Sequence, residues 1–382
     1  AIVEPVDWTN ANSLGGITTL VQLIKPQQKL TSEHLDFRQV INSKPKPDPT
    51  IPVIANIKLG VNSNDINILY SNNIMEKKPI NKFKIVLPKK SAFMIPTEFD
   101  YPSLNCLGVI NGKRGSGKSV GLANFLRECK LKGYFDRVIL ISPTYISNVT
   151  IWNICEVDEE DVIETSKTSI KEMTKMVEQE KQAWDTFELQ KKLFIQFKRD
   201  SKGKLENINP HRLLDYYNSG FLGINIQPPV WKYHKEGVED HAPRIAVVID
   251  DAVGTDLMAC RTAGLTNLAI KSRHIADGLG ISLFILTQTY RSDSSTPRAV
   301  RENATFLCLF KINDINQIKA IKEEADLPIT DEEFIDLCTE CHAEPHQFLF
   351  IDFNPKCPSK RFRKGWNEYL IPPSLKDKCI CK

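Results

Sequence analysis

Eight consecutive residues, Gly112-Lys113-Arg114-Gly115-Ser116-Gly117-Lys118-Ser119, spell G-x-x-x-x-G-K-S. Glycines at this spacing let a backbone turn tightly, so that its amide N–H groups and the start of the next helix converge on phosphate oxygens. Lys118 is then placed to pair with the β- and γ-phosphates of a nucleotide, and the Ser119 hydroxyl to hold Mg2+. Such a motif needs a strand before it and a helix after it. The apolar run LGVIN (107–111) and the segment SVGLANFLREC (119–129) supply both.

A second acidic site follows the run RIAVVI (244–249), which ends in Asp250-Asp251. This is the form of a Walker B strand, with Asp250 steadying Mg2+ and Asp251 polarising the attacking water as general base. The plainer alternative is a solvated turn or a helix cap. Many ATPases carry Glu at the second position, so Asp251 is a shorter reach to the water. A third strand ends in Thr287-Gln288-Thr289-Tyr290. Gln288 there is either a sensor beside the γ-phosphate or a polar strand end with no role.

These side chains need a frame. From residue 104 onward, short and nearly continuous apolar runs alternate with helical segments, the pattern of a parallel sheet buried on both faces. The expected strands are 107–111, 137–142, 244–250, 282–288, 305–312 and 348–353. The predicted class is α/β: a P-loop core (101–355) with a mainly parallel sheet of five or more strands. Between the second and third strands lies an insertion over about 150–240, much longer than an ordinary crossover. Its part from 158 to 199 reads helical, with Trp184, Phe187, Phe194 and Phe197 on a repeating spacing. The reading is a helical pair on the sheet's edge, with a mobile lid as the alternative. Thr330-Asp331-Glu332-Glu333 predicts a capped helix start. Residues 1–100 read as a small β-rich region, with a Pro-rich connector near 43–53.

Composition narrows the class of protein. With 41% hydrophobic and 25% charged residues, the 382-residue chain has the make-up of a globular protein, and disorder, collagen and coiled coil fit poorly. Fifty Lys and Arg against 47 Asp and Glu give +3, which excludes a protein that coats nucleic acid over its whole surface. No run approaches the 18 or so apolar residues of a membrane span, and Glu4 and Asp7 stand where a signal peptide carries positive charge. The ten cysteines are mostly scattered through strands and helices, as reduced intracellular thiols are. The expectation is a soluble chain that is not exported.

Beyond the phosphate loop and the Asp pair, the segments KSRHI (271–275), ISLFILTQTY (281–290) and PRAVREN (297–303) make the likeness specific. From about 104 to 312 the chain resembles the poxvirus-type genome-packaging ATPases of large DNA viruses, virophages and related transposons, members of the FtsK/HerA superfamily of DNA pumps. The resemblance does not cover residues 1–100 or most of the insertion. It implies a RecA-like ATPase core, a homo-oligomeric ring with ATP between subunits, double-stranded DNA as substrate and capsid proteins as partners. It also implies a place in the virion or in the host's cytoplasmic viral factory. The family's sensor falls on Gln288. An arginine finger reaching the neighbour's γ-phosphate falls first on Arg273, with Arg298 and Arg301 as alternatives.

Two weaker signals remain. Cys338-x-x-Cys341-His342 spells a haem-attachment pattern that a chain without an export route cannot use. Cys338, Cys341, His346 and Cys357 together offer zinc ligands, the plainer reading being unliganded thiols at a helix end. The segment 356–382, read as a basic tail, carries eight Lys and Arg against Glu368 and Asp377. It suits DNA phosphates, a capsid surface or a membrane, although nothing else supports a membrane, and solvated charge is the simplest account.

Overall fold

The computed structural model describes residues 101–203, 208–223, 226–252, 254–259, 264–291 and 296–376. The expected β-rich region 1–100 and its connector lie outside the described residues. In chain order the strands are β1 (Leu107–Asn111), β2 (Arg137–Ile141), β3 (Val162–Ile163), β4 (Ile245–Ile249), β5 (Ser282–Thr287) and β6 (Phe306–Phe310), then β7 (Phe348–Asp352), β8 (Phe362–Lys364) and β9 (Glu368–Leu370). They form one sheet in the order β3-β2-β4-β5-β1-β6-β7-β8-β9. The pairs from β3 to β6 are parallel, and β7 to β9 extend the sheet antiparallel. The six apolar runs expected as strands are all strands, each within two residues at its ends.

Side chains alternate between two cores. On one face Val138, Leu140, Ala246, Val248, Phe284 and Leu286 meet the helix α1 (Lys118–Leu131) through Leu122, Phe125 and Leu126. On the other face Ile139, Val247, Ile249, Leu283 and Ile285 meet Met173 and Val177 of the insertion, and Leu265 and Leu268. Strands covered on both faces need continuous apolar sequence, which is why these runs were readable. The fold is thus a three-layer P-loop NTPase fold with a mixed, mainly parallel sheet.

Part of the expected basic tail belongs to this core. Phe362 is fully buried and Arg363 is 5% exposed, with its guanidinium over the rings of Phe350 and Tyr369. Trp366, in the turn joining β8 to β9, stacks on Phe125 of α1 with ring centroids 4.0 Å apart. Of the basic residues counted there, Arg363 therefore lies in sheet packing, Arg361 is half-buried and donates to Asp352 O at 3.3 Å, and Lys364 pairs with Glu340 and Glu344.

The helix of the insertion, α3 (Ser169–Asp200), follows the short α2 (Tyr145–Trp152) and is 32 residues long, roughly 48 Å. Phe187, Phe194 and Phe197 are buried, as their spacing predicted. Phe187 packs with Trp184 and Trp231, whereas Phe194 and Phe197 join Tyr216 and Phe221 in a small separate core with α4 (Pro210–Asn218). The insertion is tied to the sheet by Arg137 of β2. Its Nε donates to Asp161 Oδ1 at 2.8 Å and its Nη1 to Glu180 Oε1 at 2.6 Å. Lys232 and Tyr233 also donate to Glu180 Oε1.

Asp161 and Glu180 are 4% and 2% exposed, so removing the guanidinium strands buried charge. Arg137→Ala should cost about 3 kcal/mol in urea denaturation. Arg137→Lys should recover less than half of that, because an ammonium cannot serve both carboxylates in the fork geometry of a guanidinium.

Candidate functional site

The order β4-β5-β1 brings three carboxyl ends of parallel strands side by side, the place where open α/β sheets bind ligands. The β5 strand ending in Gln288 is interposed between the strand leading to the phosphate loop and the strand leading to Asp250-Asp251. The ends of β1 and β5 are level, Asn111 pairing with Thr287, whereas β4 stops two residues short of them, Ile249 pairing with Ile285. Gly112 N–H continues the ladder to Thr287 O at 3.0 Å, and Asp250 N–H to Ile141 O at 3.0 Å.

The loop turns as its glycines allow. Gly115 and Gly117 have φ of 77° and 97°, and Gly117 caps α1 without a side-chain bond. No acidic residue occupies the first turn of α1, so the positive end of its dipole faces the loop uncompensated. Gly112 answers a different demand: a Cβ there would lie 2.5 Å from Phe310 Cβ and 2.7 Å from Ser116 Oγ. Lys113, Arg114 and Gly115 are exposed at the tip. Ser116 Oγ is buried with no hydrogen-bond partner, an orphaned polar atom inside a cradle of amides.

Lys118 Nζ donates to Gly112 O at 2.6 Å and Lys113 O at 3.1 Å. Burial lowers its pKa, opposed by the charges of Asp250 and Asp251. Asp250 is 4% exposed and accepts a 3.0 Å hydrogen bond from Ser119 Oγ. Burial pushes its carboxyl up to about 6; the Ser119 bond and Lys118 oppose the rise, and Asp251 adds to it. A hydroxyl and a buried carboxylate in contact form a hard-oxygen pair that fits Mg2+. Asp251, left-handed at φ 53°, accepts a hydrogen bond from Gln288 Nε2 at 2.9 Å. Asp is one of the few residues that adopt this conformation readily.

Lys118, Ser119, Asp250, Asp251 and Gln288 are thus assembled, and Arg273 is not among them. It lies in a 3-10 turn after the helix α5 (Leu265–Lys271), where Ser272 O accepts from Ile281 N just before β5 begins. That is the opposite end of a six-residue strand, roughly 20 Å away. The Arg273 side chain makes no hydrogen bond or ion pair with the described residues. Of the alternatives, Arg298 in α6 (Arg298–Glu302) is exposed and pairs with Glu302. Arg301 is only 9% exposed and committed: its Nε donates to Glu324 at 2.6 Å, it binds Thr296 O, and it packs on Tyr290.

The zinc set does not assemble. Cys338 and Cys341 are buried on the helix Asp331–Cys341, whose capping box from Thr330 and Glu333 is present as expected. Burial pushes both thiols up to about 12. His346 instead sits against the phosphate loop, its Nδ1 3.2 Å from Ser116 O. Among the described residues no group of three or more His, Cys, Asp or Glu could hold a metal ion; Mg2+ at such a loop draws on a hydroxyl and phosphates instead. Also among the described residues, no helix is long and apolar enough to cross a membrane.

A carboxyl whose pKa is raised by folding contributes its full stability below the unfolded value, 3.8 here, and loses it as pH rises through about 6. Asp250→Asn should therefore be more stable than wild type above pH 7 by about 2–3 kcal/mol, converging with it near pH 4. Denaturation across pH 4–8 without Mg2+ or nucleotide reads this out.

No family model matches the chain, and no curated protein matches it. Among solved structures, it is similar to the genome packaging NTPase B204 of Sulfolobus turreted icosahedral virus 2 in complex with ATP-gammaS. The identity is 13%, covering 74% of this chain and all of that one, with a TM-score of 0.35. ATPases 2 and 3 of EssC from Geobacillus thermodenitrificans match at 13% identity over 70% of this chain and 40% of that one, with a TM-score of 0.35. The pCW3 conjugation coupling protein TcpA with ATPgS matches at 18% identity over 69% and 67%, with a TM-score of 0.31. Assignment of the site rests on the strand order and side chains above.

Proposed function

We propose that the chain is an ATPase that couples hydrolysis to translocation of double-stranded DNA, packaging a viral genome into a preformed capsid as a homo-oligomeric ring. The observation that carries the hydrolytic half is the Gln288–Asp251 hydrogen bond. A polar side chain from the interposed strand holds the base candidate beside the phosphate loop. A nucleotide-binding scaffold without turnover has no need of that contact. The DNA half rests on the sequence likeness across residues 271–303.

In this reading the amides of the loop hold the phosphates, and Lys118 exchanges its two carbonyl partners for phosphate oxygens. Ser119 and Asp250 hold Mg2+, which when bound neutralises charge on the phosphate oxygens. Asp251 takes the proton of the attacking water. Its Oδ1 is occupied by Gln288, which leaves Oδ2 to face the water and lets Gln288 pass a change at the γ-phosphate into β5. Arg273, at the far end of the sheet, acts only on a neighbouring subunit's site.

Turnover should be stimulated by duplex DNA. Stimulation by single strands instead would indicate a helicase-like enzyme, and no turnover with DNA present an ATP-binding assembly protein. Asp251→Asn should bind ATP normally and lose hydrolysis by about 10²- to 10⁴-fold; full-rate turnover in that variant would exclude Asp251 as base. Mixing Arg273→Ala with Lys118→Ala subunits should restore part of the activity at mixed interfaces. A defect confined to the mutated subunit's own site would reject the trans finger.

A further inference from the structure

The residue on the phosphate loop that no motif accounts for is His346. It belongs to the loop 342–347, between the helix Asp331–Cys341 and β7. Both ends of that loop are fixed to β6: His342 Nε2 donates to Leu309 O at 2.9 Å, and Phe348 pairs with Phe310 across the antiparallel ladder. Phe310 is also the wall that Gly112 packs against. The strand beside β1 therefore sets the distance between this loop and the phosphate loop.

His346 has φ of 63°, a left-handed conformation uncommon for residues with a side chain and frequent at functional positions. That conformation turns the imidazole onto Ser116 and Gly117. Nδ1 is 3.2 Å from Ser116 O, and a Cβ added at Gly117 would lie 3.1 Å from both Cβ and Nδ1 of His346. A carbonyl only accepts, so Nδ1 carries the hydrogen.

Ser116 C=O and Gly117 N–H belong to one planar, trans peptide, so their polar ends point in opposite directions. A donor fixed on the carbonyl holds the N–H aimed the other way, into the loop. Hydrogen bonds in series polarise one another, so the same donor strengthens that N–H as an anion ligand. We infer that His346 is a positioning residue of the nucleotide site, fixing and polarising the Ser116–Gly117 peptide so that its N–H meets a phosphate oxygen. This rests on the nucleotide-binding reading above.

The test separates donor from backbone. Asn places an amide nitrogen where Nδ1 stands and tolerates the left-handed conformation; Gly keeps the conformation and removes the donor. His346 is exposed, so neither substitution opens a cavity. With the full chain and a fluorescent ATP analogue, competed by ATP and ADP in Mg2+, His346→Gly should weaken both by roughly three- to tenfold, the worth of one neutral hydrogen bond. KM for ATP should rise by the same factor with kcat within about twofold, since the contact exists before the reaction begins. His346→Asn should stay near wild type. Wild-type affinity in His346→Gly, or an equal loss in His346→Asn, would overturn the inference. Lys118→Ala serves as reference: failure of wild type to bind nucleotide sinks the nucleotide site itself. Binding abolished by Lys118→Ala but untouched in His346→Gly sinks only the role of His346.

Discussion

Everything at the site depends on one parallel ladder, β4-β5-β1, in which the ends of β1 and β5 pair directly and β4 stops two residues short of them. The bond from Gly112 N–H to Thr287 O carries the ladder one residue past β1 and into the loop, so the phosphate loop starts from a fixed point on the sensor strand. A slip of one residue in β5 would send its inward side chains to the opposite face and move Gln288 away from Asp251. Register is held because both faces of β5 are buried, Phe284 and Leu286 on one and Leu283 and Ile285 on the other. Core packing and site geometry are therefore the same constraint.

The site sits uneasily in that frame. Burial disfavours the charged form of Lys118 and of Asp250 alike, and each stabilises the charge of the other. Ser119 binds the buried carboxylate, while Lys118 is held by carbonyls of its own loop. These groups are arranged for something that brings both negative and positive charge, as a metal-bound nucleotide does. The cost in folding stability is concentrated at Asp250, the most enclosed of the acids assembled there.

Much of this was legible in the residues. LGVIN, RIAVVI and SLFILT read as strands because burial on two faces demands unbroken apolar sequence, and the phosphate loop has few alternatives once a strand precedes it. What was not legible follows a pattern. The three-residue strands β8 and β9 are too short for any period, and their Arg363 looked like surface charge until aromatic neighbours enclosed it. His346 lies 230 residues from the carbonyl it binds. Its nearest chemical company in sequence was cysteine, so spacing suggested zinc. Arg301 resembled a finger as well as Arg273 did, and only Glu324 and Tyr290, folded against it, show that it is committed.

In the proposed reading, the placement of Arg273 bears on assembly as well as catalysis. The phosphate loop lies at the carboxyl ends of the strands, and Arg273 at the amino end of β5. A two-fold dimer sets one copy's amino-end arginine against the other's carboxyl-end site only where both lie in one self-complementary patch, so that the contact is made twice across the axis. Joining unlike patches is a head-to-tail contact, which closes into a ring or runs on as a filament. A ring of head-to-tail contacts accommodates a trans-acting Arg273 whether or not the arginine and the site share a patch. An active species that proved to be a simple two-fold dimer would remove the ring and confine a trans-acting Arg273 to two reciprocal contacts across one axis.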